Sequence, residues 1–121
     1  MSCSVGVYMD VSSTKVVFDW MKGLPEKDGK KLFSRINMLR DKGRRMLSNT
    51  GYLKALAGEE ELFEISVSTR GKEYRLITWI GTDDWDEAIV LSGGDKVGDD
   101  RFYEQQISKA KRRLESIRSD E

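Results

Sequence analysis

The chain carries no histidine and a single cysteine, Cys3, in 121 residues, so its chemistry is bounded first by what it lacks. Without imidazole there is no histidine general base, no His-based zinc site and no Ser-His or Cys-His nucleophile pair. One thiolate cannot build a structural zinc site. No G-x-x-x-x-G-K-[ST] loop occurs and no G-x-G-x-x-G opens a helix after a strand, which removes support for nucleotide cofactors. Any catalysis must therefore run on Arg, Lys, Tyr or carboxylates, and neither a metal nor a cofactor is expected.

The charged residues that remain are unevenly distributed. Lys+Arg and Asp+Glu balance at 21 each, yet the segment from Lys22 to Lys54 has ten basic residues against Glu26, Asp28 and Asp41, a surplus of about +7. From Glu59 to Asp99 eleven acids face Arg70, Lys72, Arg75 and Lys96, about −7. Two readings of this asymmetry stand side by side. One is solvated helix faces beside an acidic sheet rim; the other is a basic face offered to RNA or to an acidic partner.

These side chains need a scaffold, and the composition allows one. With 38% hydrophobic and 35% charged residues the chain reads as one soluble domain over residues 1–121. Charges interrupt every apolar run well before the roughly 18 residues a membrane span requires, so no membrane association is expected. Met1 to Asp10 lacks a basic start followed by a long apolar stretch, so no leader is expected either. A lone Cys fits a reducing, cytoplasmic setting.

Val5 to Asp10 reads as a short first strand. Ser12, Ser13 and Thr14 offer caps for a helix carrying Val17, Phe18 and Met21, which Leu24-Pro25 interrupts. Pro25 opens a second helix with an apolar stripe of Leu32, Phe33, Ile36 and Leu39, ending after Asp41 with Gly43 in a left-handed conformation. Arg44 to Gly58 is irregular, with Tyr52 to Leu56 as one short helical or extended piece. Leu62 to Ser68 places Phe63, Ile65 and Val67 on one face and Glu64 and Ser66 on the other. After the Arg70-Gly71 turn, Tyr74 to Ile80 alternates likewise, with Arg75, Ile77 and Trp79 sharing a face. Gly81 to Asp84 forms a turn, and Glu87 to Ser92 completes a three-stranded antiparallel meander. Asp99 or Asp100 caps a final helix whose stripe is Tyr103, Ile107, Ala110, Leu114 and Ile117. The expected fold is a small α+β domain, an antiparallel sheet with two N-terminal helices and one C-terminal helix packed on it.

Several segments, in order, also resemble a known family. They are Val17-Phe18-Asp19-Trp20-Met21 with Leu24-Pro25, Leu39-Arg40-Asp41-Lys42-Gly43, Leu62-Phe63-Glu64-Ile65-Ser66-Val67, Tyr74-Arg75-Leu76, and Ile89-Val90-Leu91-Ser92-Gly93-Gly94-Asp95-Lys96. Together they resemble the phage-derived, HigB-like branch of the RelE/ParE toxin superfamily. The resemblance implies the toxin of a type II toxin–antitoxin pair, of bacterial or phage origin. RelE- and HigB-type members cut messenger RNA in the ribosomal decoding site without metal, activating a ribose 2′-OH against the adjacent phosphodiester. ParE-type members keep the fold and inhibit DNA gyrase. The implied partners are a cognate antitoxin with a helix-turn-helix element, encoded by an adjacent gene, and the ribosome with its mRNA.

By the same resemblance, Arg75, Lys96 and Tyr103 occupy the positions of the ribonuclease groove, with Lys54 and Arg101 as substrate-binding cations. An Arg there holds the phosphate in a bidentate fork and offsets transition-state charge. Lys96 is suited to the same task. Tyr103 stacks on a base or hydrogen-bonds a reacting oxygen, and would act as a base only if its pKa fell well below about 10. Each residue also has a structural role open to it: Arg75 as the partner of Glu64, Tyr103 as a core residue, Lys54 and Arg101 as solvated cations, and Gly93-Gly94 as a bulge or strand exit. The flanking Asp95, Asp99 and Asp100 depart from the basic ribonuclease pattern and would repel RNA phosphates. A non-catalytic inhibitor on the same fold, of gyrase or of a host complex, is therefore the alternative.

Overall fold

A computed structural model describes residues 4–8, 15–59, 61–81, 87–96 and 101–119. The elements run β1 (Ser4–Val7), α1 (Val16–Lys22), α2 (Glu26–Asn49), β2 (Leu53–Ala55), β3 (Leu62–Thr69), β4 (Lys72–Ile80), β5 (Glu87–Asp95) and α3 (Arg101–Ser119). The strands form one sheet in the order β1-β5-β4-β3-β2. The fold is the small α+β domain expected from the sequence.

Alternation explains the central strands. Phe63, Ile65 and Val67 on β3 and Tyr74, Leu76 and Ile80 on β4 are all buried, and they pack with Val17, Met21, Leu32, Leu39 and Leu47 of α1 and α2. The opposite face has its own smaller core, in which Ile77 and Leu91 meet Ala110 and Leu114 of α3. The sheet is thus the middle of three layers, with α1 and α2 on one side and α3 on the other. Ile77 pairs with Ser92 whereas Thr78 pairs with Val90, so Leu91 is the extra residue of a bulge that fits β5 to α3.

The structure corrects the sequence expectations in three places. β1 pairs with β5 in parallel, so the sheet is mixed rather than antiparallel. An alternating strand pattern carries no information on the direction of its partner, and the chain reaches β5 only after crossing a face of the sheet in α1 and α2. The irregular segment supplies a fifth strand, β2, pairing from Leu53↔Ile65 to Ala55↔Phe63. Third, Gly43 takes a positive φ of 85° as expected, but helix resumes beyond it to Asn49. Leu47, fully buried, anchors this second segment to the core, which outweighs the break. Ser12, Ser13, Thr14, Asp99 and Asp100, the expected caps, lie outside the described residues, as does most of the turn after Gly81; Lys15, at the N-cap of α1, makes no side-chain cap.

Gly93-Gly94 is a packing device rather than a strand exit, and β5 continues through it. A Cβ at Gly93 would stand 2.7 Å from Leu76 and 2.8 Å from the Trp20 ring, and one at Gly94 would stand 3.1 Å from the Phe102 ring. β5 is therefore squeezed between α1 and α3, so tightly at Gly93 that a side chain there would force its neighbours to move.

Tyr74 ties α2 to the sheet. Its buried hydroxyl donates to Asp28 Oδ2 at 2.7 Å, and its ring meets Trp20 edge-on at 6.1 Å. Burial, and secondarily the Asp28 carboxylate, push the phenol up to about 12. The folded state thus holds the Tyr74 proton more tightly than the unfolded chain, whose tyrosines titrate near 10. That contribution is complete below pH 10 and is lost as pH rises toward 12, roughly 2–3 kcal/mol in all. Denaturant unfolding between pH 8 and 11.5 should show this loss in the wild type and a flatter profile in Tyr74→Phe. Identical profiles would show that Tyr74 is not the titrating group.

Candidate functional site

Register sets the site. Arg75 lies opposite Ser66 on β3 and Gly94 on β5, and Gly94 faces Phe102 and Gln106 of α3, so Arg75 projects on the α3 side of the sheet. Glu64, two residues along β3 from Ser66, shares that face, and Lys54 stands opposite Glu64 on β2. The first turn of α3 then brings Tyr103 over the row.

The Arg75 and Glu64 side chains are only 12% and 14% exposed, and Arg75 Nε lies 3.9 Å from Glu64 Oε2. That is an ion pair but too long for a hydrogen bond, and both atoms are left without a hydrogen-bond partner. The other arms of the guanidinium are engaged: Nη1 donates to the Tyr74 carbonyl at 2.9 Å and Nη2 to Glu73 Oε2 at 2.9 Å. Glu73 is half exposed, so its carboxylate can swing into solvent at small cost. Its departure frees the Nη2 arm of Arg75 for another anion.

The Tyr103 hydroxyl interacts with both Glu64 and Arg75. Burial and the hydrogen bond to Glu64 raise its pKa, against the opposing pull of Arg75. The lowered pKa that a Tyr103 base would require is therefore not met. The phenol stays protonated at neutral pH, because the nearest cation is shared with a carboxylate that favours the neutral phenol. Lys96, held by its backbone N–H donating to the Glu73 carbonyl at 2.6 Å, places Nζ 5.2 Å from the Tyr103 ring centroid.

Arg75, Lys96 and Tyr103 therefore converge, and Lys54 stands exposed at the sheet edge beside Glu64. Arg101 does not join them. It precedes Tyr103 by two residues, about 160° around the helix, and borders a depression on the outer face of α3 with Gln105, Ser108 and Arg112. Arg75 is paired with Glu64 and also lies in the cluster. The groove is charge-compensated rather than simply positive, with Glu64 and Glu73 on Arg75 and Asp95 4.0 Å from Lys72. Sequence reasoning treated Glu64 only as the counter-ion of Arg75. Its signal as a site residue was a carboxylate on the same strand face as an Arg, in a chain without histidine.

Among the described residues no group of three or more Asp, Glu or Cys is arranged to hold a metal ion, and no helix is long and apolar enough to cross a membrane. The family model for the phage derived protein Gp49-like family (DUF891) matches residues 19–115, which span every element of the site. Comparison with curated proteins and with solved structures gave no match.

Proposed function

The chain belongs to the Gp49-like phage-derived protein family, and from that premise we propose that it is the toxin of a toxin–antitoxin pair and acts as a ribosome-dependent, metal-independent mRNA endoribonuclease. The observation that carries the reading is the meeting of Arg75, Lys96, Tyr103 and Glu64 beside the start of α3. In this reading Glu73 swings away and the scissile phosphate takes its place on Arg75. Glu64 accepts the 2′-OH proton as the 2′-oxygen attacks phosphorus and the bond to the 5′-oxygen breaks. The Tyr103 hydroxyl passes a proton to the departing 5′-oxygen and recovers one from Glu64, leaving a 2′,3′-cyclic phosphate and a 5′-OH. Arg75 offsets the charge that grows on the phosphoryl oxygens, and Lys96 adds a second cation beside Tyr103. A non-catalytic inhibitor is the second reading, favoured by the two carboxylates that already satisfy most of Arg75.

The cytoplasm is the setting this reading requires, and a cognate antitoxin from an adjacent gene is the partner that restrains the activity. The surplus of about +7 between Lys22 and Lys54 suits an acidic, partly disordered chain. Protein stripped with chelator and returned to a translating extract should cleave transcripts as fast as untreated protein. The product of a neighbouring gene, co-expressed and co-purified, should suppress it. Activity recovered only after zinc or another transition metal is added back to the stripped protein would overturn the mechanism.

A further inference from the structure

We propose that the outer face of α3, centred on Lys109 and Arg112, is a second nucleic-acid contact that grips the phosphodiester backbone of RNA. The proposal rests on the RNA-directed reading of the Arg75 site but concerns a separate surface. Two neighbouring depressions, of about 320 and 630 Å3, share Lys109 and Arg112 as lining residues. The first adds Tyr8 and Arg113, and the second extends to Arg101 with Glu104 as its only acid.

Lys109 and Arg112 are not compensated as other cations of the same helix are. Lys111 pairs with Glu59 and Arg118 with Glu61, both at 2.7 Å. Among the described residues Lys109 and Arg112 have no ion pair or hydrogen bond. Arg113 is fixed between them and the sheet, donating from Nη1 to the Leu91 carbonyl at 2.6 Å and lying 5.0 Å from the centre of the Tyr8 ring. Burial draws the Arg113 guanidinium below its ordinary range, partly opposed by Tyr8, and the like charge of Arg112 adds a smaller pull in the same direction. A bound anion would relieve that crowding.

The chemistry of the surface favours RNA over an acidic protein. A protein interface needs an apolar centre, and apart from the Tyr8 ring the lining is cationic or hydrogen-bonding. Gln105, Ser108 and Arg112 recur about once per turn along one face, a row of donors suited to successive phosphates. The row lies opposite the Tyr103 face, so a folded RNA could be held there while its cleaved strand enters the groove.

The test is fluorescence anisotropy of the full chain with a labelled 20-nucleotide RNA hairpin at 50 to 300 mM KCl. The double variant Lys109→Ala/Arg112→Ala should bind roughly tenfold more weakly at low salt, with the slope of log affinity against log salt reduced by about 1.5. Wild-type affinity and slope in that variant would overturn the proposal. So would a DNA duplex that binds as tightly as the RNA, or polyglutamate displacing the RNA at equal charge concentration. Transcript cleavage, read in parallel, separates the two claims. Cleavage with a patch-independent affinity refutes the patch alone, whereas patch-dependent binding without cleavage supports the patch and refutes the nuclease reading.

Discussion

Arg75→Ala is expected to lower transcript cleavage by about 10²–10³-fold, the usual loss when one charged donor aimed at a transition state is removed. It is also expected to cost stability. The Arg75 side chain is only 12% exposed and holds two carboxylates and a carbonyl, so its removal leaves Glu64, 14% exposed, without its cation. An abandoned carboxylate of this kind costs roughly 1–3 kcal/mol. A fall in cleavage by itself would therefore not separate chemistry from folding. The double variant Arg75→Ala/Glu64→Gln removes the stranded charge, and its thermal midpoint should return most of the way to wild type; cleavage by Arg75→Ala itself, read at a temperature where circular dichroism shows it fully folded, should stay down. Lys96→Ala, whose side chain is engaged only with the Tyr103 ring among the described residues, should cost less than Arg75→Ala and leave stability unchanged. If Arg75→Ala cleaves at the wild-type rate where it is fully folded, Arg75 is only a structural partner of Glu64; a folded wild type that cleaves no transcript hands over to the inhibitor reading.

What the sequence made legible was set by periodicity. The β3–β4 hairpin, the two-sided burial of β4 and the α3 stripe through Ala110 and Leu114 all follow from steps of two, or of three and four, between apolar residues. β2 was not legible because Leu53–Ala55 buries one residue, Leu53, and a three-residue strand has no period to detect. The parallel pairing of β1 is a property of the partner strand, and the continuation of α2 beyond Gly43 depends on where Leu47 lands in the core. The site was legible as a set of residue types but not as a balance of charges. Sequence distance gave no hint that Glu73 would close on the Arg75 fork, that Glu64 would hold the Tyr103 proton in place, or that Arg101 would face away from Tyr103. These depend on strand register and helix phase, which a single-residue shift reverses.

The sharpest test of the mechanism falls on Glu64 rather than on Arg75. A chain without histidine has few groups that can take the 2′-OH proton, and the structure narrows them further. Tyr103 keeps its own proton, since burial and Glu64 both raise its pKa. Lys96 and Arg75 are cations at neutral pH, and Glu73, half exposed, must leave before a phosphate can bind. Glu64 is the remaining carboxylate, and its buried Oε2 has no hydrogen-bond partner. Glu64→Gln keeps the shape of the side chain and removes only its basicity, and it is expected to lower cleavage by about 10²–10⁴-fold, the range for a positioned general base. Tyr103→Phe, which keeps the ring and the Lys96 contact but loses the hydroxyl, should fall by less, on the order of tenfold, because water can protonate the leaving oxygen in its place. The RNA affinity of Glu64→Gln should equal or exceed that of the wild type, since a negative charge beside the phosphate has been removed. The expected signature is thus tighter binding joined to slower cleavage, a combination that a merely structural counter-ion would not produce. Wild-type cleavage by Glu64→Gln, with Arg75→Ala inactive, would leave Glu64 as a spacer for the guanidinium and move the proton acceptor outside this chain.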